Sequence, residues 1–463
     1  MNNLAIYNTL TKRIDPITRR GDRFTVYFCG PTVYNRAHIG NFRTYLVEDV
    51  LVRLLKLEGY EPFVVRNITD VDDKTIRDSK KAGLTLQNFT EKYIELFRDD
   101  CTALGILPPD VEPRATTHIA DQIALIQKLI DNGSAYQSDG SVYFRVRAFQ
   151  KYGQLSNLNH RELQTQELDS TGKRNLVDEY DRDSASDFVL WKARKPEDGE
   201  IFWESPWGEG RPGWHIECSA MSMRYLGHTI DLHAGGVDLC FPHHENEIAQ
   251  SEAATHEQFV RYWVHIAHLM VNDAKMSKSL GNMYNLSDIA EHGFSADALR
   301  YCLISGHYRQ PLNFTLNSLI AADNALKKLC TFSESLTAEK DTEKIKKPAD
   351  WRFFGDAYRA LLNDLNVPLC LGNIFKTLKS PSPKENRDIF AHEFRTLQYA
   401  LGLRLVSAAV KENIPENIQI LAKARWEAKL QKNYKLSDEI RLNIESAGWV
   451  IKDSATGYTI TKK

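Results

Sequence analysis

Residues 24–50 read FTVYFCGPTVYNRAHIGNFRTYLVEDV, and their order decides the fold. Phe24 to Gly30 is β-branched and aromatic, the composition of a buried strand. Phe42, Leu46, Val50 and Leu54, with Val47, Leu51 and Leu55 beside them, form a helical stripe that ends at Gly59. The run PFVVRNI (62–68) is a second strand. Strand, turn, helix and strand in under fifty residues is a βαβ unit. It predicts a parallel sheet with a ligand crevice at the carboxyl ends of its strands.

The turn of that unit is His38-Ile39-Gly40-Asn41. A helix N-terminus leaves backbone N–H groups unpaired and carries positive partial charge, which suits a phosphate. Gly40 permits close approach of a ligand to the backbone, and His38 and Asn41 each offer a hydrogen-bond donor. Taken alone, a capping Asn41 and an exposed loop His38 explain the turn better. A second motif changes the balance. The stretch AKMSKSLGN carries Lys275, Ser277, Lys278 and Ser279 before Gly281, a basic loop able to close over a triphosphate and neutralise charge that develops during transfer. A lone Lys-x-x-Lys is ordinarily a solvated loop; following a βαβ start that carries HIGN, it is a nucleotide-site signature.

Composition narrows the class without naming the chemistry. The 463 residues predict about three domains. Hydrophobic and charged fractions of 42% and 26% are those of a globular protein. No apolar run reaches the roughly 18 residues of a membrane helix, and the N-terminal stretch shows no export signal. Seven cysteines (Cys29, Cys101, Cys218, Cys240, Cys302, Cys330 and Cys370) are few and odd in number. They fit free thiols or a metal site in a reducing, cytoplasmic setting and argue against a disulfide framework. With 59 basic and 61 acidic residues there is no overall positive field, so a nucleic-acid partner has to be met by local patches.

The pattern along the chain predicts an α/β fold. A Rossmann-type domain (first half 1–115, second half 201–295) is split by an insertion at 116–200 that includes the polar LDSTGKRNLVDEYDRDSASD. A helical region at 296–410 and a small C-terminal domain at 411–463 follow. The segments TAEKDTEKIKKPAD and KSPSPK read as loops between helices, and KENIPEN as a linker. Residues 404–463 hold eleven Lys or Arg against seven Asp or Glu, an excess of four able to follow a phosphate backbone.

A third group of residues has the chemistry of a metal site. Cys29 ends the first strand, Cys218 lies in RPGWHIECSAM, and His243 and Glu247 in FPHHENEIAQ are four apart on one helical face. Two thiolates, an imidazole and a carboxylate suit Zn²⁺. Spacing alone leaves Cys240, His233 and His244 as competing ligands, and a buried Cys29 or a solvated Glu247 needs no metal.

The stretches CGPTVYNRAHIGNFRT, NITDVDDKTI, DFVLWKARKP, GWHIECSAM, HAGGVDLCFPHHENEIAQSEA and KMSKSLGN, in that order, resemble the cysteinyl-tRNA synthetase family of class I aminoacyl-tRNA synthetases, with HIGN in place of HIGH. The resemblance runs through nearly the whole chain. It implies zinc on Cys29, Cys218, His243 and Glu247; ATP at His38, Gly40, Asn41 and Lys278, accompanied by Mg²⁺ to which no residue is assigned; catalysis by His38, Asn41, Lys275 and Lys278; and a cysteine and adenylate pocket lined by Thr69, Trp214 and Asp238. Zinc would select the substrate by binding its thiolate, since a pocket relying on shape separates cysteine from serine by roughly a hundredfold at most. Asp70, Asp72 and Asp73 receive no catalytic role, and His215 and His233 cannot be placed from sequence. The implied partners are L-cysteine, ATP and tRNA(Cys), the implied state a monomer. DALRY (297–301) is a phrase shared by the helical domains of several class I synthetases, and 424–453 resembles the anticodon-reading end, although the last residues lack a tryptophan often found there. Two rivals remain. A related ligase that joins cysteine to an amino sugar lacks the basic tail, and a non-catalytic tRNA-binding protein has little reason to keep both HIGN and KMSKS.

Overall fold

The structure, a computed structural model, describes residues 4–157, 187–276, 281–336, 347–380, 385–405, 415–431, 433–453 and 458–462. Lys278, positions 337–346 and 381–384 of the expected loops 337–350 and 379–384, most of the polar stretch 168–187, and the linker positions 411–414 lie outside them. The chain divides into two compact units, one of Met1–Leu326 with Glu339–Arg404, the other of Lys327–Ala338 with Leu405–Lys463.

After an N-terminal hairpin of Ala5–Asn8 with Arg13–Pro16, the larger unit contains the expected βαβ unit. Strand β1 (Phe24–Phe28) leads through a turn into helix α1 (Ile39–Leu57), which returns the chain to strand β2 (Pro62–Arg66). Strands β3 (Ile230–Gly236) and β4 (Val260–Ile266) complete a four-stranded sheet in the order β4-β3-β1-β2, and all its pairings are parallel. A parallel sheet is covered on both faces, which is why its strands read as continuous apolar runs. The stripe Phe42, Leu46, Val47, Val50, Leu51, Leu54 and Leu55 is buried, each such side chain contributing about 1.5–3 kcal/mol. The chain passes from β1 to β2 on one side and from β3 to β4 on the other. The order therefore reverses between β1 and β3, and an open α/β sheet presents its crevice at such a reversal.

The interval 116–200 and the start of the second half hold more strand than the sequence reading separated. Ala135–Ser138, Ser141–Phe144, Phe188–Ala193 and Gly210–Pro212 form a four-stranded antiparallel sheet. Elements of three to six residues are too short for periodicity to reveal. The phrase DALRY falls in the helix Ala296–Ile304. Its Arg300 is fully buried, with Nη2 2.5 Å from Asp49 on α1, Nε donating to the Leu401 carbonyl at 2.9 Å and Nη1 to that of Leu104 at 3.1 Å.

The smaller unit contains helices Glu416–Leu430 and Tyr434–Ser446 and the hairpin Trp449–Asp453 with Tyr458–Lys462. They enclose a core of Ile418, Ala422, Ile440, Ile444, Trp449 and Ile451.

Candidate active site and metal centre

Four donor side chains converge beside the sheet's reversal point. Cys29 follows β1 directly, Cys218 stands on helix α2 (Trp214–Leu226), and His243 and Glu247 share helix α3 (His243–Thr255). One ligand atom from each lies within 4.8 Å of all the others. The two sulfurs are 4.0 Å apart, Cys29 Sγ is 3.9 Å from Glu247 Oε1, and His243 Nε2 is 3.1 Å from the same oxygen. Exposure is 8% for Cys29 and at most 1% for the other three.

Burial makes every charge in this group depend on its neighbours. Burial pushes the Cys29 thiol well up, reinforced by Cys218. The hydrogen bond from Cys29 brings Cys218 down to about 6. Burial acts to lower His243, but Cys218 and Glu247 outweigh it and raise the imidazole to about 10. Burial likewise opposes ionisation of Glu247, and His233 and His243 overcome it to hold the carboxyl at about 2. Two thiols, an imidazole and a carboxylate in a dry setting are donor types that suit zinc, and a metal binding here would displace the protons that Cys29 and His243 hold.

A second set of four meets the same proximity criterion: Cys29, His233, His244 and Glu247. His233 Nε2 is 3.0 Å from Glu247 Oε2, and His244 Nε2 is 3.4 Å from Cys29 Sγ. The sequence left His233, His244 and Cys240 open. The structure brings the two histidines to donors of the first set, while Cys240 belongs to neither group and packs in the core with Tyr27 and Trp263. The sets face different ways. His243 lies under the half-buried ring of Trp214, centroids 4.3 Å apart, and its Nδ1 is 2.9 Å from Nδ1 of His215. His233 and His244 instead lie against the buried Trp263, and His244 continues through His265 (2.9 Å) to Thr9 (2.7 Å).

The HIGN turn sits at the start of α1 and is capped by its own side chains. Nδ1 of His38 accepts from the Asn41 N–H at 3.2 Å, and Oδ1 of Asn41 accepts from the His38 N–H at 3.1 Å, a reciprocal capping box. The bond to Nδ1 places the imidazole proton on Nε2. Burial lowers the pKa of His38, the charge of Asp238 opposing it, so the ring stands neutral with an N–H to offer. The KMSKS flank meets this turn. Ile39 N–H donates to the Tyr284 carbonyl at 2.9 Å, and His38 bridges Asn285. The terminal methyl of Met276 lies against Gly40, where a side chain would make it move and would press on the His38 ring. Lys275 is exposed on the same flank.

Thr69, just beyond β2, is buried; it donates to Glu217 Oε2 at 3.0 Å and accepts from Asn67 Nδ2 at 3.3 Å. Asp238 is exposed in the turn after β3. The acidic cluster has structural partners: Asp70 binds Thr116, Asp72 caps the helix Asp73–Lys81, and Asp73 pairs with Lys192 and Arg211. Sequence reasoning did not single out Asn67, Glu217, His265 or Met276. Glu217 carried a signal, standing three residues after Trp214 and so on the same helical face.

Residues 16–324 match the family described as tRNA synthetases class I (C) catalytic domain. A cysteine–tRNA ligase of Opitutus terrae is 47% identical over 463 residues, covering 99% of this chain and 98% of that one. The chain belongs to the cysteine–tRNA ligase family. Cysteine–tRNA ligases of Chlamydia muridarum and Brachyspira hyodysenteriae are 44% and 43% identical, also over nearly full length. Among solved structures, methionyl-tRNA synthetase of Mycobacterium tuberculosis with methionyl-adenylate matches at a TM-score of 0.58 and 16% identity, covering 86% of this chain and 94% of that one. A leucyl-tRNA synthetase of Agrobacterium radiobacter in a ternary complex with tRNA matches at 0.58 and 12%, covering 83% and 84%. These two likenesses speak for the class I fold. As a cysteine–tRNA ligase family member the chain is an enzyme, and no described helix is long and apolar enough to cross a membrane.

Proposed function

We propose that the chain activates L-cysteine with ATP and Mg²⁺ and attaches it to tRNA(Cys), selecting cysteine by a zinc ion on Cys29, Cys218, His243 and Glu247. The observation that carries the reading is the meeting of these donors with the HIGN turn and the KMSKS flank at one reversal point of the sheet. When bound, zinc supplies a soft Lewis acid that takes the side chain as a thiolate, which a serine hydroxyl cannot match. The Cys218–His243 set is favoured over the His233–His244 set because Trp214, at the crevice, covers His243, and a metal that reads a substrate keeps an open position. His233, bonded to Glu247, and His215, bonded to His243, then orient the ligands.

The cysteine carboxylate attacks the α-phosphate of ATP in line, forming the mixed anhydride cysteinyl-adenylate and releasing pyrophosphate. The terminal ribose hydroxyl of tRNA, by class I habit the 2′, takes the acyl group and releases AMP. No side chain acts as a nucleophile; position and charge do the catalysis. His38 through Nε2 and Asn41 through Nδ2 donate to phosphate oxygens, and Lys275 and Lys278 bring positive charge from the opposite loop. Thr69, Trp214 and Asp238 line the cysteine and adenylate pocket. The catalytic halves 1–115 and 201–295 carry this chemistry around the insertion at 116–200. The regions 296–410 and 411–463 bind tRNA, in a protein that works as a monomer.

Attachment of labelled cysteine to unfractionated tRNA, with ATP and Mg²⁺, tests the reaction; no label with active tRNA and zinc-loaded protein refutes it. Cys218→Ser tests the zinc. It should cost cysteine-dependent ATP–pyrophosphate exchange at least a hundredfold, about 3 kcal/mol, while the affinity for ATP stays within a factor of about three. Equal losses in both would remove zinc as the reader of the side chain.

A further inference from the structure

We infer that Glu217 and Asn67 are positioning residues that lock the Thr69 hydroxyl as a hydrogen-bond acceptor for the α-ammonium group of the amino-acid substrate. The inference rests on the reading that Thr69 lines the cysteine pocket.

The hydrogen bonds leave Thr69 one orientation. Asn67 Oδ1 accepts from the Gly30 N–H at 2.9 Å, so the other end of that amide is the donor, and it lies 3.3 Å from Thr69 Oγ1. With one lone pair engaged, the hydroxyl proton goes to Glu217 Oε2 at 3.0 Å. The backbone is held too: Thr69 N–H donates to Pro31 and its carbonyl accepts from Val33, both at 3.1 Å. What Thr69 still offers is a lone pair. An ammonium group only donates, so a hydroxyl free to rotate would have to turn its proton away first, and one already turned costs no reorganisation.

Glu217 has no evident reason to be there for stability. It is 1% exposed, Oε1 has no hydrogen-bond partner, and among the described residues its one side-chain hydrogen bond is to Thr69. Burying a carboxyl group held by a single bond is unfavourable for folding. Helix α2 carries Glu217 beside Cys218 and three residues from Trp214, so one element presents the metal donor, the aromatic ring and the support for Thr69.

The test uses the full-length, zinc-loaded enzyme in cysteine-dependent ATP–pyrophosphate exchange, with two competitive probes. Cysteamine keeps the thiol and the ammonium; 3-mercaptopropionate keeps the thiol and lacks the ammonium. Glu217→Ala should weaken cysteine and cysteamine about tenfold, and leave the KM for ATP, inhibition by 3-mercaptopropionate and zinc content unchanged. Glu217→Gln keeps an oxygen for Thr69 and should restore both to within about threefold. Thr69→Val should reproduce the Glu217→Ala pattern. Equal weakening of both probes, or loss of zinc, in Glu217→Ala overturns the inference in favour of a purely structural role. Wild-type behaviour of Glu217→Ala beside an impaired Thr69→Val overturns it while leaving the pocket reading intact. An unimpaired Thr69→Val removes the pocket reading and the inference together.

Discussion

His38 uses its two ring nitrogens for different ends. Nδ1 closes the cap of α1, which leaves the ring proton on Nε2 as a donor. The two roles separate by substitution. Asn at an N-cap accepts the same backbone bond, so His38→Asn should keep the thermal midpoint within about 2 °C while slowing adenylate formation about a hundredfold. His38→Ala should lose both the rate and roughly 1 kcal/mol of stability. The pH dependence follows from the lowered pKa. The folded state disfavours the protonated ring, so the unfolded chain binds more protons below the unfolded value of about 6.5. The stability linked to this group is therefore present above that pH and lost as pH falls through the folded pKa. Between pH 7 and 5 the wild-type midpoint should drop further than that of His38→Asn; parallel profiles would mean that His38 titrates as it does in the unfolded chain.

At the scale of elements, α1 is held from behind as well as at its cap. Asp49 receives Arg53 at 2.7 Å and Arg300 at 2.5 Å, and its other oxygen accepts the Leu107 N–H at 2.8 Å. Arg300→Met removes a buried cation and leaves Asp49 only partly compensated, so unfolding by urea should show a loss of about 3 kcal/mol, the low end for breaking a buried pair because Arg53 remains. A loss under about 1 kcal/mol would mean that the pair barely offsets its own desolvation. The same helix shows what a sequence can and cannot disclose. The stripe from Phe42 to Leu55 and its flanking strands were readable because every contact that defines a βαβ unit is repeated locally in the pattern. The short strands between 135 and 212 were not, each being too brief for a period to show. Although Ala135–Ser138 pairs with Ser141–Phe144 across a two-residue turn, the strands Phe188–Ala193 and Gly210–Pro212 are joined to the sheet only by distant partners. The candidate site divides along the same line. Cys29, Cys218, His243 and Glu247 came from resemblance, and spacing alone left His233 and His244 equally eligible; they do lie against the same two donors. Glu217 and Asn67 escaped notice because their meeting with Thr69 joins positions 148 and 2 residues apart, the first of them a contact no local pattern encodes.

For the whole molecule the question is how a chain with no net positive field engages tRNA. The overall charge is −2, while residues 404–463 carry eleven Lys or Arg against seven Asp or Glu. Lys423 on the helix Glu416–Leu430 and Lys435 on Tyr434–Ser446 are exposed, while Ile418, Ala422, Ile440 and Ile444 of the same helices form the unit's core. Contacts of lysine with phosphate release counterions, so each makes association steeper in salt without adding sequence information. The doubly reversed variant Lys423→Glu with Lys435→Glu should therefore lower kcat/KM for tRNA at least tenfold near physiological salt. It should also flatten the slope of log kcat/KM against log salt by about 2, one for each lost phosphate contact. Cysteine-dependent ATP–pyrophosphate exchange, carried by residues of the larger unit, should not change. A fall in exchange as well would point to damage to the fold. An unchanged salt slope with normal exchange would move the phosphate contacts off these two lysines.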